Sequence, residues 1–324
     1  MDGQVDPDVP TRLHACMSEL INDGYPFTSA QAPALGLTTV RLREALAVRR
    51  VRREFRNVYV DGRVPDSRRG RLRAIALVKP DGAIACNETA AWLHGQDVFA
   101  PGQRHSFTPS FVVAHGSTRI ERPGVDCRQA IISSEDLDFV DGVHVTTALR
   151  TASDLLRRMY RPYALAAADA FVRASLVSAH ELQDYVARLK GFRGIVQARS
   201  LASIVDARAE SPGESWQRLR IWDAGFPLPD LQHEVVDDLG RVRRLDLAYP
   251  EILVGSEFDG REFHTDPVHR LKDVERRAYL SDVFGWRWCN ASRERLFGAD
   301  DSFEHELGRL LGMEPLSRRW GSGR

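Results

Sequence analysis

Between Arg243 and His264 the chain reads R-R-L-D-L-A-Y-P-E-I-L-V-G-S-E-F-D-G-R-E-F-H. Leu245, Leu247 and Tyr249 alternate with Asp246 and Ala248, the two-residue period of a strand. Pro250-Glu251 breaks the run. Ile252-Leu253-Val254 then opens a second strand, which closes at Gly260. Upstream, Ser211-Pro212-Gly213-Glu214 predicts a helix start, with Gly225 as its stop. A strand over Gln232 to Val236 and a turn at Asp237-Asp238-Leu239-Gly240 follow. Downstream come a helix from about Pro267 to Phe284 and a short Gly285-Trp286-Arg287-Trp288-Cys289 strand. The predicted order is helix, three strands, helix, strand.

The first part of the chain has a different texture. Leu13, Met17, Leu20 and Ile21 fall on one side of a helix over 13–21. Phe27-Thr28 starts a second, short helix, which Leu35-Gly36-Leu37 ends, although Pro33 lacks a helical donor. Thr38 or Thr39 caps a third helix through Val48, and Val51 to Val60 reads as a hairpin. From Leu37 to Arg73 there are twelve arginines against four acids, a local net charge of +8. Arg41 and Arg43 lie on the third helix, and Arg52, Arg53 and Arg56 on the hairpin. Three helices, a glycine turn and a basic hairpin resemble a winged helix-turn-helix. The resemblance implies a third helix in the major groove and a hairpin along the phosphates. The bland alternative is a solvated arginine-rich face.

The middle of the chain carries little chemistry. Ile75 to Val78 and Ala83-Ile84-Ala85 read as short strands or a helix end, and Phe111-Val112-Val113 and Val143-His144-Val145 as strands. Asn87 caps a helix through His94. Arg150 to Leu156 and Tyr163 to Ala174 are helical, and Ser178-Ala179-His180-Glu181 is a capping box for a helix through Leu189.

Composition changes the picture only in places. With 324 residues, 43% hydrophobic and 28% charged, the chain has material for two or three soluble domains. No apolar run approaches the roughly 18–20 residues of a membrane span. The acidic start M-D-G-Q-V-D lacks the order of a signal peptide. Cys16, Cys86, Cys127 and Cys289 are scattered without a C-x-x-C, which fits a reducing cytoplasm and argues against a zinc site. Formal net charge is zero, so the arginine clustering carries the nucleic-acid argument.

The chemistry sits in the carboxylates. Side chains at i and i+2 share a strand face, so Glu257 and Asp259 point the same way, about 6–7 Å apart. Asp246 lies within an apolar strand. Such carboxylates are expensive to bury without compensation, and a hard divalent cation such as Mg²⁺ or Mn²⁺ is the usual one for oxygen ligands. Each residue has a duller reading. Glu214 closes a capping box with Ser211; Asp246 pairs with Arg243 or Arg276; Glu257 and Asp259 pair with Arg261 and Arg277. Arg270, Asp273 and Arg277 share one face of the following helix.

Glu214, the run D-L-A-Y-P and the run E-F-D-G-R-E-F-H, followed by a helix and a G-W strand, resemble the PD-(D/E)xK nuclease superfamily. The likeness is to its very-short-patch-repair-like branch with the DUF559 domains. It implies a restriction-endonuclease-like α/β domain over 207–316, ahead of a tail at 317–324. It implies that Asp246 and Glu257, with Glu214, hold the metal, that Asp259 contributes, and that His264 or Lys272 orients water or protonates the leaving oxygen. The chain departs from the pattern at Asp259, which stands in the lysine position. The runs Ala85-Cys86-Asn87-Glu88-Thr89-Ala90-Ala91-Trp92-Leu93-His94-Gly95 and Val145-Thr146-Thr147-Ala148-Leu149-Arg150-Thr151-Ala152-Ser153-Asp154 resemble AbiEi-type proteins of type IV toxin–antitoxin systems. That implies a winged helix over 1–75, a mixed α/β segment over 76–206, DNA as partner and a cognate toxin. The expectation is a multi-domain α/β protein that binds DNA and cleaves phosphodiesters with Mg²⁺ or Mn²⁺. The alternative is a non-catalytic antitoxin or repressor on a degenerate nuclease fold.

Overall fold

Apolar positions spaced for strands and helices collect into several small cores along the chain. The computed structural model describes residues 24–100, 102–118, 120–140, 142–238, 240–259, 267–297 and 300–316, with only the backbone of 267–272. The helix expected over 13–21 and the tail at 317–324 lie outside the described residues. The chain forms two compact units, Met1–Thr151 and Ala152–Arg324.

The first unit opens with strand β1 (Phe27–Thr28) and a 3-10 turn (Ala32–Leu35). Helix α1 (Thr39–Ala47) and strands β2 (Val51–Phe55) and β3 (Val58–Asp61) follow. Phe27 and Thr28 are strand residues and not a helix start, because they pair antiparallel with Tyr59 and Val58. The sheet order is β1-β3-β2. Pro33 sits in the first turn of the 3-10 segment, where its missing N–H costs nothing. Gly36 ends that turn at φ +72°, a conformation glycine adopts without strain. Thr38 caps α1 by accepting the Arg41 N–H at 3.3 Å. Phe27, Leu37, Leu42, Ala45, Val51 and Tyr59 form the core beneath.

Helix α2 (Arg68–Val78), strand β4 (Ile84–Ala85) and helix α3 (Asn87–Leu93) come next. Strands β5 (Ser110–Ala114), β6 (Asp126–Ala130), β7 (Leu137–Val140) and β8 (Val143–Thr146) complete a mixed sheet ordered β6-β5-β4-β8-β7. Cys86, not Asn87, takes the N-cap position of α3; Asn87 is its first residue, at φ +50°. The hairpin is tied into this second layer. Phe55 meets Trp92 edge-on at 6.0 Å and Phe107 at 5.3 Å, and both Phe55 and Val58 belong to the core of Ile75, Trp92, Phe111 and Val145. The expected boundary after residue 75 therefore falls inside one helix and one core.

The second unit starts in helix α4 (Ala148–Arg158), which spans the division, and continues with α5 (Arg161–Arg173), α6 (Ala179–Arg188) and α7 (Ile195–Ala202). The Ser178–Glu181 capping box is present. Helix α8 (Pro212–Asp223) leads into strands β9 (Asp230–Val236) and β10 (Val242–Tyr249). Strands β11 (Val254–Ser256) and β12 (Phe258–Asp259), helix α9 (Pro267–Phe284), strands β13 (Arg287–Trp288) and β14 (Ala291–Ser292), and helices α10 (Arg293–Leu296) and α11 (Ser302–Leu311) finish it. One sheet is ordered β13-β11-β10-β9; β12 leaves it to pair in parallel with β14. Pro250–Ile252 forms a 3-10 turn, so the second strand starts at Val254 and not at Ile252.

The expected boundary after residue 206 is also bridged. Asp169 of α5 is fully buried and accepts from Arg218 Nη2 at 2.5 Å and Ser215 Oγ at 2.6 Å, both on α8. Tyr163 of α5 meets Trp216 edge-on at 5.6 Å. Among the described residues Cys86, Cys127 and Cys289 are buried. No described helix is long and apolar enough to cross a membrane.

Candidate functional site

Helix α8 begins where the sequence places it. Ser211 Oγ accepts the Glu214 N–H at 3.2 Å and Pro212 occupies the first turn. A Cβ on Gly213 would lie 2.1 Å from the Phe258 ring, so glycine lets the start of α8 settle directly on β12. That close approach brings Glu214 to the sheet. Its carboxylate does not complete a reciprocal capping box with Ser211. It accepts instead from the Glu210 N–H and from Gln232 Nε2, each at 2.9 Å.

The strand register supplies the next members. Leu247 pairs with Ser256 across β10 and β11, which sets Asp246 beside Glu257, the next residue out. On the other side, Leu245 pairs with His233 and Leu247 with Leu231, so Asp246 falls opposite Gln232. Gln232 stands at φ +55° within β9, an uncommon conformation for a residue with a side chain. No hydrogen bond or ion pair joins Asp246 to a described residue. Burial, with the Glu214 and Glu257 carboxylates beside it, pushes Asp246 up to about 7, against the pull of Arg276.

Glu257 is 5% exposed and ion-paired. Arg276 Nη1 lies 2.8 Å from Glu257 Oε1 and donates to the Arg244 carbonyl at 3.0 Å. Arg277 Nη1 reaches Glu257 Oε2 at 3.4 Å and Asp259 Oδ1 at 3.3 Å. Burial raises Glu257 above the usual carboxylate range, while Arg276 and Arg277 pull it down. Glu257 and Asp259 do share a face, since one Arg277 nitrogen serves both. Arg243 pairs with Asp237 and not with Asp246. The charge pairing expected of Arg276 therefore lands on Glu257.

His264 and Arg261 lie outside the described residues, as does the side chain of Lys272 on α9. Sequence reading missed Gln232 and Gln217. Gln217 is fully buried on α8, one turn beyond Glu214, and binds Ser256 Oγ; the Oε1 atoms of both glutamines are buried without a described partner. Counting back from the Asp237–Gly240 turn would have found Gln232, because a hairpin's turn fixes its cross-strand partners. The donors here are oxygens, as Mg²⁺ or Mn²⁺ prefers. Among the described residues, however, no three His, Cys, Asp or Glu side chains converge closely enough to ligate one ion.

The basic site lies in the first unit. Leu42 and Ala45 turn α1 toward the core, leaving Arg41 and Arg43 exposed. On the hairpin, Arg53 and Arg56 are exposed, with Arg53 over the Tyr59 ring at 5.7 Å. Arg52 differs. It is half-buried, donates to the Val64 carbonyl at 2.5 Å and is ion-paired with Glu54. Its guanidinium is committed to its own unit.

Comparison with known proteins now adds to this geometry. The family model described as AbiEi antitoxin C-terminal domain matches residues 83–204. Two relatives from Mycobacterium tuberculosis, "Uncharacterized protein Rv2248" of strain H37Rv and "Uncharacterized protein MT2308" of strain CDC 1551, are each 35% identical over 217 residues. That span is 67% of this chain and 77% of theirs. Among solved structures, the crystal structure of RV2827C protein from M. tuberculosis covers 72% of this chain and 90% of its own, at 13% identity and a TM-score of 0.30, which supports no argument about fold. The chain belongs to the family of these two mycobacterial relatives, and its residues 83–204 match the AbiEi antitoxin C-terminal domain.

Proposed function

We propose that this protein is a DNA-binding antitoxin-type regulator. Its first unit would grip duplex DNA as a winged helix-turn-helix. One observation carries the reading: Arg41, Arg43, Arg53 and Arg56 are all exposed, on one helix and the adjoining hairpin, while Leu42 and Ala45 of the helix and Val51, Phe55, Val58 and Tyr59 of the hairpin are buried beneath. The antitoxin domain match that follows in the chain supports the same reading and brings with it a cognate toxin as partner. In this reading α1 enters the major groove, and Arg53 and Arg56 lie along the phosphates. Arg52 props the hairpin and touches no DNA. The test is a binding isotherm on duplex DNA from upstream of the protein's own coding sequence, over a range of salt. Affinity that falls steeply with salt and disappears on replacement of the four exposed arginines supports the proposal. Salt-independent or undetectable binding overturns it.

A second reading rests on a separate observation. Asp246 is a carboxyl without a described partner, set among Glu214, Glu257 and Gln232 on a helix–strand–strand–helix frame. Surplus negative charge of this kind is what a Mg²⁺ or Mn²⁺ ion relieves, and such an ion would lower the pKa of an attacking water at a phosphodiester. Glu214, Asp246 and Glu257 would hold it, with Asp259 at the rim. Incubation of supercoiled plasmid with the protein and Mn²⁺, against Asp246→Asn, tests this reading; intact plasmid in both lanes would leave the regulator alone.

A further inference from the structure

Four acids stand among the twelve arginines between Leu37 and Arg73. Three of them are occupied. Arg52 pairs with Glu54, Arg63 with Asp61, and both Arg71 and Arg104 with Asp66. Glu44 is the exception. It is exposed on α1, and among the described residues its carboxylate has no hydrogen-bond or ion-pair partner. Arg41, three residues before it, donates instead to the Gly36 carbonyl at 3.4 Å.

The turn of the helix decides where Glu44 points. Leu42, Ala45 and Leu46 pack into the core beneath α1. With about 100° between successive residues, Val40, Glu44 and Ala47 lie within about 35° of the opposite direction, away from that core. Arg41 and Arg43 stand about 70–90° to either side. The outermost ridge of the helix is therefore Val40, Glu44 and Ala47, with an arginine on each flank. Val40 is 62% exposed. A helix lying in a major groove presents its outermost ridge to the base edges and its flanks to the phosphates of the two walls. An unpaired carboxylate on that ridge is repelled by any phosphate chain. It is favoured only where a donor faces it, and the major-groove donor that suits a glutamate is the N4 amino group of cytosine. A valine on the same ridge suits the C5-methyl group of thymine. Val40 and Glu44 are separated by about 6 Å along the helix axis, which matches about two base-pair steps.

We infer that Glu44 and Val40 are the base-reading residues of α1, Glu44 on a cytosine and Val40 on a thymine about two base pairs away, while Arg41 and Arg43 hold phosphates. This rests on the DNA-binding reading above and gives it a target class, a duplex carrying a C·G and a T·A pair at that spacing. The same acid also separates right sites from wrong ones. Where no donor meets it, its charge works against binding, so it discriminates by repulsion as well as by contact.

The test is selection from a randomised duplex pool by the full-length chain, followed by binding isotherms on selected and unselected duplexes. Glu44→Gln, Glu44→Ala and Val40→Ala accompany the wild type; all three alter exposed side chains outside the core. Wild-type selections should share the C·G and T·A pairs. Glu44→Gln should move the selected base from cytosine to adenine, the base that glutamine pairs with in the major groove. Glu44→Ala should lose about tenfold in preference for cytosine and bind unselected duplex more tightly. Val40→Ala should bind thymine and uracil duplexes alike, because uracil lacks the methyl group. Variants that select the same sequences as wild type overturn the base-reading role, as does a wild type whose binding is salt-dependent but selects no sequence; both leave the DNA-binding reading standing. No binding of DNA by any of the four proteins overturns that reading, and the base-reading role with it.

Discussion

Replacing Asp246 with asparagine isolates the electrostatic burden at the carboxylate site. The Asp246 carboxyl moves from 3.8 to about 7, with burial as the largest cause and the Glu214 and Glu257 charges next. Each pH unit of displacement corresponds to about 1.4 kcal/mol, so the ionised group opposes folding by on the order of 4 kcal/mol above pH 7. The sign follows from which state holds the proton. The folded protein retains it where the unfolded chain releases it. Stability is therefore undiminished below about pH 4, falls as pH rises toward 7, and levels off above. Asparagine is neutral throughout and has the same shape. Urea unfolding of wild type and Asp246→Asn at pH 5, 6, 7 and 8 gives the difference between the two, in which other titrating groups largely cancel. The variant should gain on the wild type by about 1–1.4 kcal/mol per pH unit up to pH 7, and be the more stable by about 2–4 kcal/mol at pH 8. Parallel curves, or a variant weaker than wild type at pH 8, would refute the reasoning. A variant weaker than wild type at pH 8 would mean that Asp246 is held ionised by a cation it pairs with.

Alanine at Arg41, Arg43, Arg53 and Arg56 together should flatten the logarithmic salt slope of DNA binding by roughly 0.9 for each phosphate no longer neutralised; Arg52→Ala should leave the slope unchanged and lower the melting temperature. Asp169→Ala should destabilise the second unit by about 3–5 kcal/mol, because it strands the buried Arg218, and calorimetry would show it as a lower transition. Gly213→Ala should cost about 1–3 kcal/mol by forcing Phe258 off the start of α8, and it should change Asp246 protonation as read by NMR, since Glu214 rides on that turn.

Element order along the chain was largely legible, and the reasons are local. The alternation through Leu245, Leu247 and Tyr249 reads directly as β10. Ser178 with Glu181, and Thr38 before α1, announce their helices through caps that depend on neighbours in sequence. Misreadings arose where distant partners decide. Phe27-Thr28 has no strand signature of its own and becomes β1 only because Tyr59 and Val58 lie beside it. Strand β12 parts from β11 to join β14, thirty-three residues on in the pairing of Phe258 with Ala291. Contacts across the expected domain limits were hidden for the same cause: the residues that make them, Phe55 with Trp92 and Asp169 with Arg218, are far apart in sequence. At the candidate site, carboxylates stood out because acids in apolar strands are conspicuous. Which guanidinium meets which acid was less plain, because arginines on a polar helix have no distinguishing pattern until the helix is docked.

The left-handed turn of backbone at Gln232 has a consequence outside the site it serves. Among the described residues strand β9 is the open margin of its sheet, with β10 on one side only. A straight margin of seven residues offers a passing chain a row of amide donors and carbonyl acceptors, which is how sheets recruit unwanted strands and grow into aggregates. The φ of +55° at Gln232 interrupts that row near its middle. It leaves two short stretches, neither long enough to nucleate a neighbour. Val236, at the far end of β9, and its partner Val242 on β10 are exposed. A β-branched side chain in place of Gln232, valine for instance, would disfavour the left-handed conformation, straighten the margin and expose the protein to self-association.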